Sequence, residues 1–250
     1  MKVVIIGSGN VATILGRKIK NAGHEIVQIY SRNLLKANEL AIELAAVGID
    51  DLQKINKEAE LYMIALSDSA IAEAAQKLHL QKGILVHTAG SVSKKVLQQS
   101  GTDYGVLYPL QSLRKEKSDY ADIPLLVDGN TEKSFQIIQD FAKNISLNVA
   151  KATDGERLKL HLAAVVVSNF TNYLYALADD YCRQENVPFG MLHPLIAEVA
   201  IRLKSHHAAE MQTGPAMRHD VVTIEKHLDL LKSYPDLQDI YAFMSKKIMR

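Results

Sequence analysis

The chain begins MKVVIIGSGNVATILGRKIK (residues 1–20), in which an apolar run leads through a glycine-containing loop into a helical pattern. The run KVVII predicts a strand that is buried on both faces. In the loop, Gly7 permits a tight turn, Gly9 leaves room for a pyrophosphate, and the small Ala12 lets the helix pack closely on the strand. This stretch therefore predicts a dinucleotide-binding βαβ unit rather than a glycine turn of purely structural use.

The same alternation of short apolar runs and helical patterns continues to about residue 150. After Lys151 the strand patterns stop, and helical patterns follow at about 156–185, 192–204, 221–232 and 237–247. We predict a Rossmann-type, doubly wound α/β sheet in a nucleotide-binding domain at residues 1–152. An all-α domain for substrate binding and dimerisation is predicted at 153–250.

Composition argues against several classes of protein. The 250 residues carry 29 Lys+Arg and 28 Asp+Glu, so the net charge of +1 and the absence of a basic run predict neither nucleic-acid nor membrane-surface binding. A single cysteine, Cys182, fits a reducing compartment, for which the cytoplasm is the default. The apolar run Leu162–Val167 is far shorter than the roughly 20 residues of a membrane span, so we expect no transmembrane helix.

The end of the second predicted strand indicates which dinucleotide binds. NAD and FAD sites usually carry an acidic residue there, whereas this chain has Tyr30-Ser31-Arg32-Asn33. Ser31 can donate to a 2′-phosphate, and Arg32 can pair with it and stack on the adenine. NADP(H) is therefore the predicted cofactor, and the alternative is that the two residues form only a solvated turn. The missing acid also argues against a flavin.

Further loops follow the strands ELYMIAL, GILVH and YGVLY, at the sheet edge where ligands bind. Asp68 and Ser93 could equally be helix N-caps. Tyr108 and Gln111 could line the nicotinamide end and contact substrate. The predicted cofactor-binding residues are Gly7, Ser8, Gly9, Asn10, Val11, Ser31, Arg32, Leu66, Ser67, Asp68, Thr88, Ala89 and Gly90.

A polar stripe runs along the long helix predicted at 156–185. At 100° per residue, Arg157, His161, Ser168 and Asn172 share one face, with Asn169 at its edge. The stripe faces either a cleft near the nicotinamide or water. His161 can donate a proton near neutral pH and is the candidate general acid, and Ser168, Asn169 and Asn172 are grouped with it as candidate catalytic residues. The alternative for His161 is a packed core histidine.

The segment TGPAMRHD (213–220) is a second polar cluster. Arg218 could bind an anionic substrate group, and Asp220 is placed to cap the following helix, although the segment could equally be only a turn and a cap. His206, His207 and Glu210 lack the spacing of metal ligands, so no metal is predicted. No GxSxG or GxxxxGK[ST] motif supports a hydrolase or a kinase.

The motifs SRN, SDSAI, HTAGS, LYPLQSL, HLAAVVVSNFTNYL and TGPAMRHDVVTIEKHL resemble a bacterial family of NADP oxidoreductases whose C-terminal half is a domain of unknown function, DUF2520. More broadly, the chain resembles the 6-phosphogluconate, β-hydroxyacid and pyrroline-5-carboxylate reductase superfamily. The resemblance implies the fold, a nicotinamide cofactor and dimerisation through the helical domains. The β-hydroxyacid pattern of a helix Lys followed one turn later by Asn is missing, because Ala163 follows Lys159.

These observations together predict an NADP(H)-dependent oxidoreductase that transfers a hydride to or from a small carbonyl, hydroxy-acid or imine substrate. The competing interpretation is a sensor or scaffold protein that binds NADP without turnover. A homodimer is also expected, because a long helix with apolar residues on several faces has more surface than one small domain can cover.

Overall fold

The computed structural model describes residues 1–101, 103–117, 120 and 122–250. Its described residues form two compact units, residues 1–166 and 167–250. The sequence places the domain boundary at 152–153, whereas the first unit extends to residue 166. The extension follows from the contacts of Arg157 and His161, both of which bond to residues near the sheet.

The first unit is built on one sheet of eight described strands: β1 Lys2–Ile6, β2 Glu25–Tyr30, β3 Val47–Ile49, β4 Leu61–Ile64, β5 Ile84–His87, β6 Asp103–Pro109, β7 Leu125–Gly129 and β8 Val149–Lys151. Their spatial order is β3-β2-β1-β4-β5-β6-β7-β8. Every neighbouring pair is parallel except β6 and β7. The sheet confirms the predicted Rossmann-type class.

Helices cover both faces of this sheet: α1 Asn10–Asn21, α2 Leu34–Leu44, α3 Asp68–Gln76 and α4 Glu132–Ile145. The largely exposed α5, Asp154–Ala164, follows the last strand. Apolar side chains pack on both faces, because successive strand residues point to opposite faces. Val3 and Ile5 of β1 pack in one core, and Val4 and Ile6 in the other. The stretch SVSKKVLQQ (91–99) has a helical pattern in the sequence but forms only a short 3₁₀ turn at Lys94–Leu97. The three-residue β3 has no recognisable pattern in the sequence.

The long helix is continuous from Asp154 to Gln184 but is not α-helical throughout. A π-helical segment, Val165–Phe170, separates α5 from α6, Thr171–Gln184. A π turn contains more residues than an α turn, so the constant 100° phase does not hold across it. The single polar stripe predicted from Arg157 to Asn172 is therefore wrong. Arg157 itself is buried, with 1% exposure, and faces neither a cleft nor water.

The second unit is helical throughout its described secondary structure. It contains α6, α7 His193–Arg202, α8 Val221–Leu230 and α9 Pro235–Ile248, joined by 3₁₀ turns. Many large apolar side chains of this unit are exposed, including Val167 at 71% and Met191 at 76%. The helix 154–184 is long and apolar enough to meet a length-and-composition test for a membrane span, contrary to the expectation from sequence. That test is weak evidence when a single helix meets it.

Candidate cofactor and proton-transfer site

The glycine loop has the conformation that a bound pyrophosphate requires. Gly7 has φ +134°, and a Cβ there would lie 2.2 Å from the carbonyl oxygen of Ala65, so only glycine fits. Gly9 is the N-cap of α1, and a Cβ on it would meet nothing within 4 Å. The N-terminus of α1 thus has no capping side chain, and Gly9 leaves space beside it. This arrangement fits a bound anion.

A cavity of about 350 Å³ lies beside this loop, at the carboxyl ends of β1, β2 and β4. Ser8 and Ser31 meet at its wall, where the Ser8 hydroxyl donates to the Ser31 hydroxyl over 3.0 Å. Arg32 and Lys36 also line the cavity and bring positive charge to it. Hydroxyl donors beside two cations fit a 2′-phosphate, so these residues suit the adenosine end of NADP(H). Other lining residues are Gly9, Tyr30, Asn33, Leu52, Ala65, Leu66, Ser67, Ala70, Glu73, Ala74 and Lys77.

Two predicted cofactor residues have structural contacts of their own. The Asn10 side-chain oxygen accepts from the Lys115 backbone N–H over 3.2 Å. Val11 packs against the apolar core. Neither side chain faces the cavity lined by Ser31 and Arg32. These contacts fix the loop rather than offer groups to a ligand there.

The loops after β4 and β5 join at the edge of the sheet. Asp68 is the first residue of α3, and its carboxylate accepts a hydrogen bond from the Ser91 hydroxyl. Ser67 rather than Asp68 is the N-cap residue, whereas Ser93 does cap the following 3₁₀ turn. Thr88 is buried and donates to the Ile64 carbonyl over 3.3 Å, so its hydroxyl joins the two strands.

Tyr108 and His161 form a hydrogen-bonded pair next to these loops. The Tyr108 oxygen lies 2.9 Å from His161 Nδ1, and the two rings pack edge to face with centroids 5.9 Å apart. Tyr108 is on β6 and His161 on α5, 53 residues later. Gly90, from the loop after β5, is buried against both side chains. The predicted residues Gly90, Tyr108 and His161 are thus brought together within the first unit.

The buried Arg157 and the partly exposed Asp154 lie close to this pair. Arg157 donates to the Val92 carbonyl and, over 2.9 Å, to Asp154, while its Nε and Nη1 have no hydrogen-bond partner among the described residues. Asp154 also accepts from the Ser93 hydroxyl. His87, at the end of β5, is fully buried. The sequence does not indicate this cluster, because charged residues and single histidines usually lie at the protein surface.

The cluster perturbs three titratable groups. Burial and, to a smaller extent, the Arg157 cation together lower the pKa of His87 to about 4. Burial also raises the pKa of Tyr108, as does the Asp68 carboxylate, so the phenol stays protonated at neutral pH. Burial raises the pKa of Asp154, but hydrogen bonds from Ser93 and Arg157 outweigh it and the net pKa is lowered.

The remaining candidate residues lie elsewhere. Ser168 and Asn169 are exposed in the π segment, and Asn172 lines an open hollow of the second unit with Phe189 and His193. Gln111 accepts from the Ser112 backbone N–H. Arg218 is exposed in a turn, and Asp220 caps α8 as predicted, accepting from Thr223 N–H over 3.1 Å. No group of three or more potential metal ligands occurs among the residues that the structure describes.

Two family models match the chain. Residues 2–90 match "NADP oxidoreductase coenzyme F420-dependent", and residues 123–248 match "Domain of unknown function (DUF2520)". No curated protein matches the chain.

Solved structures extend these matches to the whole chain. The "putative NADP oxidoreductase" of Bacteroides fragilis is 37% identical, with a TM-score of 0.93 over 99% of this chain and 97% of that one. Imine reductase from Myxococcus stipitatus in complex with NADP⁺ is 16% identical, with a TM-score of 0.70 over 99% and 93%. Pyrroline-5-carboxylate reductase from Streptococcus pyogenes is 15% identical, with a TM-score of 0.66 over 100% of this chain and 98% of that one. The similarities to these two reductases show the fold alone.

The matches agree with the cavity beside Ser31 and Arg32 and confirm the NADP cofactor prediction at the level of the family. They cover both halves of the molecule in the order that the sequence predicted. This chain therefore belongs to the family of NADP oxidoreductases that join an N-terminal Rossmann-type unit to a C-terminal DUF2520 domain.

Proposed function

We propose that this protein is an NADP(H)-dependent reductase or dehydrogenase that acts on a small carbonyl, hydroxy-acid or imine substrate. The observation that carries the proposal is the Tyr108–His161 pair, which lies at the same carboxyl edge of the sheet as the cofactor loops. A cofactor held along that edge brings its reactive ring toward the residues at the edge.

The chain's own groups supply binding and proton transfer. Ser31, Arg32 and the N-terminus of α1 would bind the phosphates, and NADP(H) would supply or accept the hydride. Hydride addition to a C=O or C=N bond leaves an electron pair on oxygen or nitrogen, which needs a proton. His161 is partly exposed and next to the sheet edge, so it is the proposed donor of that proton.

A panel assay tests the proposal. NADPH oxidation is followed with 2-oxo acids, ketones, aldehydes and cyclic imines, and the reverse reaction with hydroxy acids. We expect turnover with at least one class, and a decrease in the hydride-transfer rate of about 10²- to 10⁴-fold in His161→Ala with NADPH affinity unchanged. Tight NADPH binding without turnover across the panel would instead favour a sensor or scaffold protein.

We also propose that the helical unit pairs with a second copy of the chain. Apolar side chains are exposed on several of its helices, including Phe170 on the π segment and Leu195 on α7. A membrane is a poor alternative occupant, because Ser168, Asn169 and Asn172 interrupt the middle of the long helix and would be costly to bury in hydrocarbon. The proposed partners are thus a small-molecule substrate and a second copy, and the proposed compartment is the cytoplasm.

A further inference from the structure

The contact between Tyr108 and His161 uses one particular ring nitrogen. The phenol oxygen lies 2.9 Å from Nδ1, and the hydrogen bond that the structure gives this hydroxyl goes to His161. In a histidine ring, the hydrogen bond made by one nitrogen determines whether the other nitrogen carries the proton that is exchanged. Nε2 is therefore the nitrogen left for other partners.

The fold makes room for this contact at Gly90. A Cβ at this position would lie 2.7 Å from His161 Nδ1 and 2.9 Å from Tyr108 Cζ. Both distances are too short for non-bonded atoms, so any larger residue would displace the rings. Three separate elements, the β5 loop, β6 and α5, thus hold the pair in one arrangement.

We propose that Tyr108 is a positioning residue for the reductase: its hydroxyl holds His161 by Nδ1, so that Nε2 delivers the proton to the substrate. This inference rests on the proposed function. The tyrosine does not contact the reacting atoms in this scheme, and it acts only through the histidine.

The proton transfer balances at named atoms. In the protonated ring, Nδ1–H donates to the Tyr108 oxygen and Nε2–H donates to the substrate. As the hydride from NADPH forms the new C–H bond, the electron pair of the C=N or C=O bond moves to nitrogen or oxygen, which takes the Nε2 proton. The N–H electron pair stays on Nε2 and the ring becomes neutral, with its remaining proton on Nδ1. Water then returns a proton to Nε2. When the resting ring is neutral, it has lost the Nδ1 proton and the Tyr108 hydroxyl donates to Nδ1. NADPH is oxidised and the substrate is reduced.

The test compares Tyr108→Phe with Tyr104→Phe, a matched control on the same strand. Long-range ¹H–¹⁵N NMR of the histidine rings, with His161 assigned through His161→Gln, reports the tautomer when the ring is neutral. We expect the unmutated protein to hold a single Nε2–H tautomer, because the Tyr108 hydroxyl donates to Nδ1. The Tyr108→Phe ring should show mixed tautomers and Tyr104→Phe should match the unmutated protein.

Kinetics give a second readout. Loss of orientation should lower kcat by about 10- to 100-fold in Tyr108→Phe, with NADPH affinity unchanged. Gly90→Ala, which displaces the His161 ring, should also alter the tautomer signals, whereas Gly155→Ala on α5 has open space and should not.

The outcomes separate this inference from the proposed function. An unchanged tautomer in Tyr108→Phe overturns the positioning role, whether or not kcat falls, because the tyrosine would then not act through His161. An unchanged kcat in Tyr108→Phe overturns it too. If no substrate is turned over, the proposed function fails, but the NMR comparison still decides whether Tyr108 sets the state of His161.

Discussion

Because of His87, we expect the first unit to lose stability at mildly acidic pH. Its side chain is fully buried at the end of β5, where Nδ1 accepts from the Ala89 N–H over 3.2 Å. Its Nε2 has no hydrogen-bond partner in the part of the chain that the structure describes. Burial, together with the nearby Arg157 cation, lowers the pKa to about 4 from an ordinary value of 6.5.

The sign and the size of the effect follow from these two pKa values. Below pH 6.5 the unfolded chain binds a proton at His87 while the folded protein does not, so stability is lost as the pH falls toward 4. The two values correspond to a loss in the free energy of unfolding of about 2 kcal/mol at pH 5 and about 3 kcal/mol at pH 4, relative to pH 7. Well above pH 6.5 both states are unprotonated at His87, and the group contributes no pH dependence.

Urea unfolding at pH 7, 6 and 5, at one protein concentration, measures the effect. His87→Asn keeps an acceptor near Nδ1 but cannot titrate, so the stability gap between it and the unmutated protein should narrow by about 2 kcal/mol between pH 7 and pH 5. His79→Asn is the control, because His79 is exposed. A gap that stays constant within about 0.5 kcal/mol over this range would refute the reasoning.

Four further predictions concern the cofactor loop, the cofactor, the buried charge and the assembly. Gly7→Ala should have a lower melting temperature, because its Cβ meets the Ala65 carbonyl. Gly9→Ala should keep its melting temperature but lose NADPH affinity. Equal melting temperatures for the two variants would contradict this prediction. Calorimetric titration should show that NADPH binds about 10- to 150-fold more tightly than NADH, and Arg32→Ala should remove most of this difference. Equal affinities for the two cofactors in the unmutated protein would contradict this prediction. Arg157→Met should lower the free energy of unfolding by about 1.5–3 kcal/mol in urea titrations, and no loss would disprove the role of its hydrogen bonds. Sedimentation should show a dimer at micromolar concentration, and a stable monomer would rule out the proposed pairing.

The fold could be predicted because its signals are local. The loop that contains Gly7 and Gly9 appears as one continuous pattern, and so do the apolar strands around it. The strand Val47–Ile49 could not be recognised, because three residues with a central glycine show no periodicity and depend on pairing with β2. The π segment was missed for a related reason, since an inserted residue changes the period on which the prediction relied.

The site could be predicted only in part, because its geometry depends on contacts between distant residues. The sequence indicates His161 and Tyr108 as separate candidates, but nothing in it shows that they bond to one another across 53 positions. Helical phase predicts Arg157 on a polar stripe, yet it is buried and donates to the Val92 carbonyl. Asp154 gives no signal of a site in the sequence, since an acid at a helix start is usually explained by the helix alone.

The two outermost strands of the sheet limit how this protein can associate. The edges are β3 and β8, each only three residues long, and β8 ends in the charged Lys151. A long exposed edge is a template on which another chain can add a strand and start an aggregate. Edges this short offer few free backbone groups to an incoming strand. Both edges of the sheet are thus poor templates for fibre-like growth.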